Sequence, residues 1–181
     1  MNADWSIDGM KQDDQNVTSD WQHVGQTLIA DVVIREVQSV TTGYGHLTEI
    51  FRSDWSLDQS GVDQVFQSSI EPGGISAWHA HGLTTDRLFI NYGQLKIVLY
   101  DGRKSSVTYG LINQFRYGTV RHAMVVVPPG VWHGVHNTSS KVGLLTNVVD
   151  RAYTYAEPDH YRLPADTNEI PFRFSDNNKD R

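Results

Sequence analysis

Short apolar runs rich in β-branched residues, separated by Gly, Pro and Asn, recur along most of the chain. Two of these runs flank a Gly-Gln break at 93–94, which is the pattern of a β-hairpin, and another stops at the Pro-Pro-Gly sequence at 128–130. Helical periodicity is weak, and only 113–116 is compatible with a single helical turn. The pattern predicts an all-β sandwich or barrel with very little helix, with strands at 31–37, 46–51, 63–70, 87–92, 95–101, 124–127 and 142–149.

The two ends of the chain differ from this middle part. Residues 1–24 are rich in Asp, Asn, Gln and Ser, and we interpret them as a mobile arm. Within this arm, Trp5 and Trp21 are candidates for docking on a partner surface. Residues 175–181 are polar and are expected to form a frayed tail, which leaves 25–174 as a single predicted domain.

Composition and charge narrow the class of protein. The 181 residues include no cysteine, which excludes disulfide scaffolds, cysteine-ligated metal centres and thiol nucleophiles. The formal charge of −6 argues against a nucleic-acid partner. No apolar stretch approaches the ~18–20 residues that cross a bilayer, and the polar N-terminus lacks the apolar run of a secretory signal. The sequence therefore predicts a cytoplasmic protein without a membrane partner.

Three histidines stand out by their placement. In an extended segment, His79 and His81 point to the same face with Cα atoms roughly 6.5–7 Å apart, and Trp78 points to the other face. His133, which follows Trp132, repeats this arrangement after the turn at 128–130. Three imidazoles that converge inside a barrel indicate a ligand, a metal ion or a proton to be moved.

The spacing around these histidines resembles the two signatures of the cupins. The first, Gly-x5-His-x-His-x4-Glu-x6-Gly, is matched over 73–93 with Asp86 in place of Glu. The second ends in Pro-x-Gly-x2-His-x3-Asn, which is present over 128–137, although His122 replaces its opening Gly. The resemblance implies a cupin-type fold, that is, a double-stranded β-helix or jelly-roll β-sandwich barrel.

A narrower resemblance covers about residues 31–174. The chain is similar to the dTDP-4-dehydrorhamnose 3,5-epimerase family, a branch of the cupins. The matching motifs are GHLTEIF at 45–51, SAWH at 76–79, TDRLF at 85–89, DGRKSSVTYG at 101–110, PPGVWHG at 128–134 and the segment 155–172.

This resemblance implies a sugar-nucleotide epimerase or isomerase that removes a proton next to a keto group. His79 is then the base, and Arg87, at the position of the family's lysine, stabilises the enolate. Tyr153, or alternatively Tyr155, supplies the acid, and Asp166 is the carboxylate behind the base. The implied substrate-binding residues are Glu49, Phe51, Gln64, His81 and His133. The resemblance further implies a homodimer, a sugar or sugar-nucleotide substrate and no cofactor.

Two family arginines that hold the nucleotide diphosphate are replaced here, one by Tyr44 and the other by Ser76. Arginine suits that task because its guanidinium binds phosphate oxygens in a bidentate manner. The presence and identity of a nucleotide on the substrate are therefore left open by the sequence.

The same residues support a competing interpretation. A divalent metal ion could be bound by three imidazoles and one carboxylate, from His79, His81, His133 and Asp86. Asp86 and Arg87 are adjacent, so only one of them faces inward on a strand. We expect Arg87 to face inward in a metal-free site; an inward Asp86 favours a metal-dependent cupin enzyme. A third possibility is a carbohydrate-binding cupin without catalytic activity.

Overall fold

The computed structural model describes residues 4–20 and 24–176, so Trp21 and His23 lie outside the described residues. Within these ranges there are two short 3-10 turns, at Ser53–Trp55 and Phe174–Asp176, and no longer helix. The strands are β1 (Val33–Val37), β2 (Val40–Thr42), β3 (Gly45–Leu47), β4 (Gln64–Ile70), β5 (Ile75–Ala80), β6 (Asp86–Tyr92), β7 (Gln94–Asp101), β8 (Ile112–Gly118), β9 (His122–Val127), β10 (Val131–Asn137), β11 (Gly143–Val149) and β12 (Tyr161–Arg162).

Ten of these strands form two five-stranded sheets. The strand order is β1-β9-β6-β11-β4 in the first sheet and β12-β5-β10-β7-β8 in the second, and β2 pairs only with β3. Neighbouring strands are antiparallel throughout. The prediction of an all-β sandwich with very little helix is confirmed.

The main hydrophobic core lies between the two sheets. On β7, Leu95, Ile97 and Leu99 point into this core and are at most 1% exposed, while the intervening residues point to the other face. On β9, Val125 and Val127 do the same from the opposite sheet. The alternation follows from the period of two along a strand, and it is the same pattern that predicted these strands from the sequence.

The outer face of the second sheet is covered by the C-terminal segment. Trp78 on β5 is fully buried there, and its ring lies 5.9 Å from that of Phe172 and 5.1 Å from that of Phe174. Ile170 packs into the same cluster. The chain up to Phe174 therefore contributes apolar contacts to the sandwich.

Two details differ from the sequence prediction. Residues 113–116 belong to strand β8 rather than to a helical turn, because Asn113, Phe115 and Tyr117 are buried at alternate positions of an extended chain. The predicted strand at 46–51 ends at Leu47. Phe51 beyond it lies in an irregular segment that packs on the outer face of the first sheet.

In the described ranges, no helix has the length and apolar character needed to cross a membrane.

Candidate active site

A cavity of about 880 Å³ lies inside the sandwich, of a size typical of small-molecule sites. Its walls are the inner faces of β4, β5, β6, β10 and β11, together with the loop at 150–162. His79, His81, Asp86 and His133 all line it. These side chains come together because His79 on β5 is the direct ladder partner of His133 on β10 in one sheet, and Asp86 begins β6 in the facing sheet.

His79 is held at both ring nitrogens. Its Nε2 lies 3.0 Å from Oγ of Ser76, and its Nδ1 lies 2.9 Å from Nε2 of His160. Burial, followed by the influence of His133 and then of His160, lowers the pKa of His79 from 6.5 to about 3. The imidazole is therefore neutral at neutral pH, which is the form that accepts a proton.

His81 is fixed by the loop that precedes β12. Its Nδ1 hydrogen-bonds the backbone carbonyl of Asp159. The Asp159 carboxylate in turn accepts hydrogen bonds of 2.7–2.9 Å from the backbone N–H groups of Gly82, Leu83 and Thr84. Burial acts to raise the pKa of Asp159, but these hydrogen bonds outweigh it and lower that pKa. The ionised Asp159 carboxylate thus stabilises the turn at 82–84, which directly follows His81.

Asp86 faces the cavity and is 2% exposed. Its Oδ2 lies 3.3 Å from Nε2 of His81 and 3.6 Å from Nε2 of His133. Its Oδ1 accepts a hydrogen bond of 2.6 Å from Nδ2 of Asn147 on β11. Asn147 also accepts a hydrogen bond of 3.0 Å from the backbone N–H of Arg87, so it fixes the start of β6 in register with β11.

Arg87 lies on the opposite face of β6, and the expectation that it faces the cavity is wrong. Its guanidinium donates to both carboxylate oxygens of Asp58, at 2.6 and 2.7 Å, and to the carbonyl of Ser60 at 3.1 Å. Phe51 lies below the guanidinium, 5.6 Å from it. Arg87 therefore cannot stabilise an enolate in the cavity, because a bidentate partner holds it on the outer side of the sheet.

Two other predicted residues, Gln64 and Tyr153, do line the cavity. The Gln64 side chain accepts a hydrogen bond of 2.9 Å from the backbone N–H of Tyr153. The Tyr153 ring is about half exposed and contacts the ring of Tyr155 edge-to-face, with centroids 5.4 Å apart. The structure thus positions Tyr153 on the cavity wall, while Tyr155 is 88% exposed and does not line it.

Three predicted site residues lie elsewhere. Glu49 is exposed and pairs with Arg52 at 3.0 Å, and Phe51 packs under Arg87, so neither contacts the cavity of its own chain. Asp166 is exposed and does not line the cavity. The side chain that contacts Nδ1 of His79 is instead that of His160, and the prediction of Asp166 in that position is wrong.

Sequence reasoning assigned no role to Asp159, His160 or Asn147. His160 and Asp159 belong to the 155–172 segment that resembled the epimerase family, which was the available signal. His160 contacts His79 across a sequence separation of 81 residues. No local spacing relates residues at that distance, so only the fold identifies the pair.

Comparisons with known proteins identify the family of the chain. No protein-family model matches the chain. The protein named "Probable low-salt glycan biosynthesis epimerase Agl13" of Haloferax volcanii is 32% identical over 139 residues, which cover 76% of this chain and 89% of that protein. This similarity shows the family. The chain belongs to the dTDP-4-dehydrorhamnose 3,5-epimerase-like sugar epimerases of the cupin superfamily.

Solved structures support the same family. A dTDP sugar isomerase from Desulfovibrio desulfuricans superposes with a TM-score of 0.76 at 27% identity, covering 82% of this chain and 93% of that one. A dTDP-4-dehydrorhamnose 3,5-epimerase from Bacillus anthracis, with TDP and pyrophosphate bound, superposes with a TM-score of 0.72 at 19% identity, covering 81% and 86%. The second comparison bears on the fold, and it confirms the predicted cupin-type jelly roll.

Proposed function

We propose that this chain is a sugar-nucleotide epimerase that removes a proton from the carbon next to a keto group. The observation that carries the proposal is a neutral His79, held by hydrogen bonds at both ring nitrogens, in a cavity of small-molecule size. Membership of a sugar-epimerase family supports the same reaction class.

His79 acts as the base. If its Nδ1–H donates to Nε2 of His160, its Nε2 carries the lone pair and accepts from the Ser76 hydroxyl in the absence of substrate. A substrate C–H that displaces this hydroxyl then meets a nitrogen already oriented for proton transfer. His160 accepts from the imidazolium that forms and so keeps the ring in place.

Tyr153 returns the proton to the opposite face of the carbon. A phenol can donate a proton to an enolate, and the loop that carries Tyr153 is tied to β4 through Gln64. Proton removal by His79 and return by Tyr153 from different walls of the cavity would invert the carbon, which is the outcome of an epimerase.

The enolate oxygen needs a positive or hydrogen-bonding group, and Arg87 is turned away from the cavity. Enzymes of this family need no metal cofactor as a rule. In this chain, however, His81, Asp86 and His133 form a set of donors that suits a divalent ion, which when bound would supply the missing positive charge. The inward Asp86 thus favours a metal-dependent cupin as the second candidate function.

The proposed substrate is a 4-keto sugar linked to a nucleoside diphosphate. The solved relatives are a dTDP sugar isomerase and a dTDP-4-dehydrorhamnose 3,5-epimerase, which supports this class of substrate.

We further propose a homodimer, as the family resemblance implies. Light scattering that reports about 20 kDa, the mass of one chain, would contradict it.

Exchange of substrate protons tests the proposal. A dTDP-linked 4-keto sugar is incubated with the protein in D2O, and NMR follows the loss of the C–H signals next to the ketone. His79→Asn keeps the size of the side chain but removes the base, so exchange is expected to slow by about 10²–10⁴-fold. His46→Gln, at an exposed histidine on β3, is the matched control and is expected to exchange normally. Normal exchange in His79→Asn refutes the role, and binding without exchange in the wild type identifies a non-catalytic carbohydrate-binding cupin.

A further inference from the structure

Two arginine side chains, Arg151 and Arg162, line the active-site cavity. Within the described part of the chain, neither guanidinium forms an ion pair, and that of Arg162 makes no hydrogen bond. The guanidinium of Arg151 donates from Nε to the carbonyl of Leu83 at 3.2 Å. Arginine carries several N–H donors in a rigid fork, so most of the donors of these two residues are open to solvent or to a ligand.

The carboxylates that line the same cavity have other partners. Asp63, Asp150 and Asp159 accept hydrogen bonds of 2.7–2.9 Å from backbone N–H groups. Asp86 accepts one of 2.6 Å from a side-chain amide. Glu157 is exposed and forms no ion pair with a described residue. The positive charges of the two arginines are therefore available to an anion that enters the cavity.

Arg162 lies directly beside the proposed base. Strand β12 pairs with β5, and in this ladder Arg162 is the partner of His79. Cross-strand partners project to the same face with Cβ atoms roughly 4.5–5.5 Å apart, so the Arg162 side chain leaves the sheet next to the imidazole. After burial and the effects of His133 and His160, the positive charge of Arg162 also lowers the pKa of His79. An anion bound by Arg162 would thus be close to the base.

The proposed substrate carries an anion at the matching distance. Its diphosphate is bonded to the anomeric carbon of the sugar, and the carbons next to the ketone belong to the same ring. When the base contacts one of these carbons, the diphosphate lies within one sugar ring of it. A guanidinium suits this group because it binds phosphate oxygens in a bidentate manner.

The positions at which the family carries arginines for this task provide no cation in this chain. Tyr44 is 91% exposed on the turn between β2 and β3, and Ser76 lines the cavity with a neutral hydroxyl. A diphosphate would therefore need positive groups from other positions.

We propose that Arg162 and Arg151 bind the diphosphate of the substrate at the mouth of the cavity, in place of the arginines replaced at 44 and 76. The two residues approach from different sheets, since Arg151 follows the end of β11 in the first and Arg162 lies on β12 in the second. Both are exposed, which suits a charged group that stays partly hydrated while the sugar enters the cavity. The assignment rests on the proposed function, because it takes the substrate to be a sugar nucleotide.

Binding of dTDP, which lacks the sugar, tests the site separately from the reaction. Isothermal titration calorimetry measures the affinity for dTDP and for inorganic pyrophosphate. We expect Arg162→Gln to weaken dTDP binding at least tenfold and Arg151→Gln at least threefold, because each loses charge-assisted hydrogen bonds. Arg162→Lys keeps the charge without the bidentate geometry and should lie between Arg162→Gln and the wild type.

Arg121→Gln is the matched control. Arg121 is a partly exposed arginine outside the cavity that pairs with Glu36, and its loss should change the affinity for dTDP by less than about twofold. Circular dichroism and thermal melts show which variants have folded, and Arg162→Lys provides the comparison if Arg162→Gln does not fold.

Steady-state kinetics give a second measurement. With a dTDP-linked 4-keto sugar, KM in Arg162→Gln should rise by about the same factor as the dissociation constant of dTDP, with kcat nearly unchanged. This split is expected because the diphosphate does not react, so its contacts are alike in the ground state and the transition state.

The outcomes separate this site from the proposed reaction. Absence of dTDP binding by the wild type, or unchanged affinity in both glutamine variants, overturns the assignment. Binding of glucuronate that depends on Arg162, without binding of dTDP, shows recognition of a sugar carboxylate and also overturns it. Binding of dTDP that depends on Arg162, without proton exchange in the substrate, supports the site and contradicts the reaction. Proton exchange by the wild type with an unchanged KM in Arg162→Gln does the reverse.

Discussion

Asp86 and Arg87 are neighbours on β6, yet their side chains lie in opposite environments. On the outer face of the sheet, the Arg87 guanidinium is 1% exposed and donates to both oxygens of Asp58 and to two backbone carbonyls. On the inner face, the Asp86 carboxylate has one donor, Asn147, and otherwise faces nitrogen atoms of two histidines. Both are buried charges, but only the outer one is completely paired.

The difference indicates what each face contributes. A buried charge whose hydrogen-bonding groups are all paired is compatible with a purely structural role. Removing either member of such a pair leaves the other as an uncompensated buried charge and destabilises the fold. A buried carboxylate with a single hydrogen-bond donor is less completely paired, and incompletely paired buried groups are common at functional sites. The outer face of β6 therefore holds the sheet to the segment at 50–60, and the inner face lines the cavity in which we propose that the reaction takes place.

The largest expected effect on stability comes from breaking the outer pair. Asp58→Asn leaves the Arg87 guanidinium buried without a counter-charge, and we expect unfolding to become easier by about 3–5 kcal/mol. Urea unfolding at neutral pH measures this. Glu36→Gln, which breaks the exposed pair of Glu36 with Arg121, is the control and should cost no more than about 1 kcal/mol. Equal losses of unfolding free energy in the two variants would show that the burial of Arg87 does not increase the contribution of its ion pair to stability.

On the cavity side, loss of a partner should affect turnover rather than stability. His160→Gln removes the group that orients His79, and we expect kcat to fall about 10–100-fold, as for other groups that orient an active-site histidine. The melting temperature should change little, because His160 is only partly buried. A fall in melting temperature without a fall in kcat would reverse the assignment and make His160 structural.

Acidification should reduce the contribution of the Asp58–Arg87 pair to the stability of the protein. Burial acts to raise the pKa of Asp58, but the hydrogen bonds from Arg87 and Ser60, together with the positive charge of Arg87, outweigh it and leave the pKa below its usual range. The unfolded state then binds more protons than the folded state, so this contribution to stability is present above the unfolded pKa and is lost as pH falls through the folded pKa. The free energy of unfolding should decrease from about pH 5 downward. Asp58→Asn should show a shallower decrease, and an unchanged slope would contradict the pairing.

The smallest expected effect is on stability, and it has the opposite sign to the effect of Asp58→Asn. In metal-free protein, Asp86→Asn can keep the hydrogen bond from Asn147 and can donate its own N–H to Nε2 of His81. We expect stability to change by less than about 1 kcal/mol, toward greater stability, as is common when a functional group is replaced. Differential scanning calorimetry on metal-free protein checks this, and a loss as large as that of Asp58→Asn would show that the two faces do not differ.

The sequence by itself determined the sandwich and the approach of His79, His81 and His133. Strand periodicity sets which side chains point inward, and the Pro-Pro-Gly turn sets where β10 begins, so both features depend on short-range spacing. The pairing of His133 on β10 with His79 on β5 is a long-range contact, which the match to the two cupin signatures implied. The short helical turn expected at 113–116 shows the limit of prediction from local spacing. The extended conformation there is fixed by pairing with β7 and by Asn113, whose side chain holds the backbone at residues 27 and 29.

The sequence also showed that only one of Asp86 and Arg87 can face inward, but not which one. Tertiary structure decided this, because Asp58 approaches from an irregular segment 29 residues earlier and offers Arg87 a bidentate partner on the outer face. For the same reason the partner of His79 is His160, at a separation of 81 residues, rather than Asp166. Pairing of buried charges and hydrogen-bonding groups is a long-range property, since each group takes whichever partner the completed fold brings within about 3 Å.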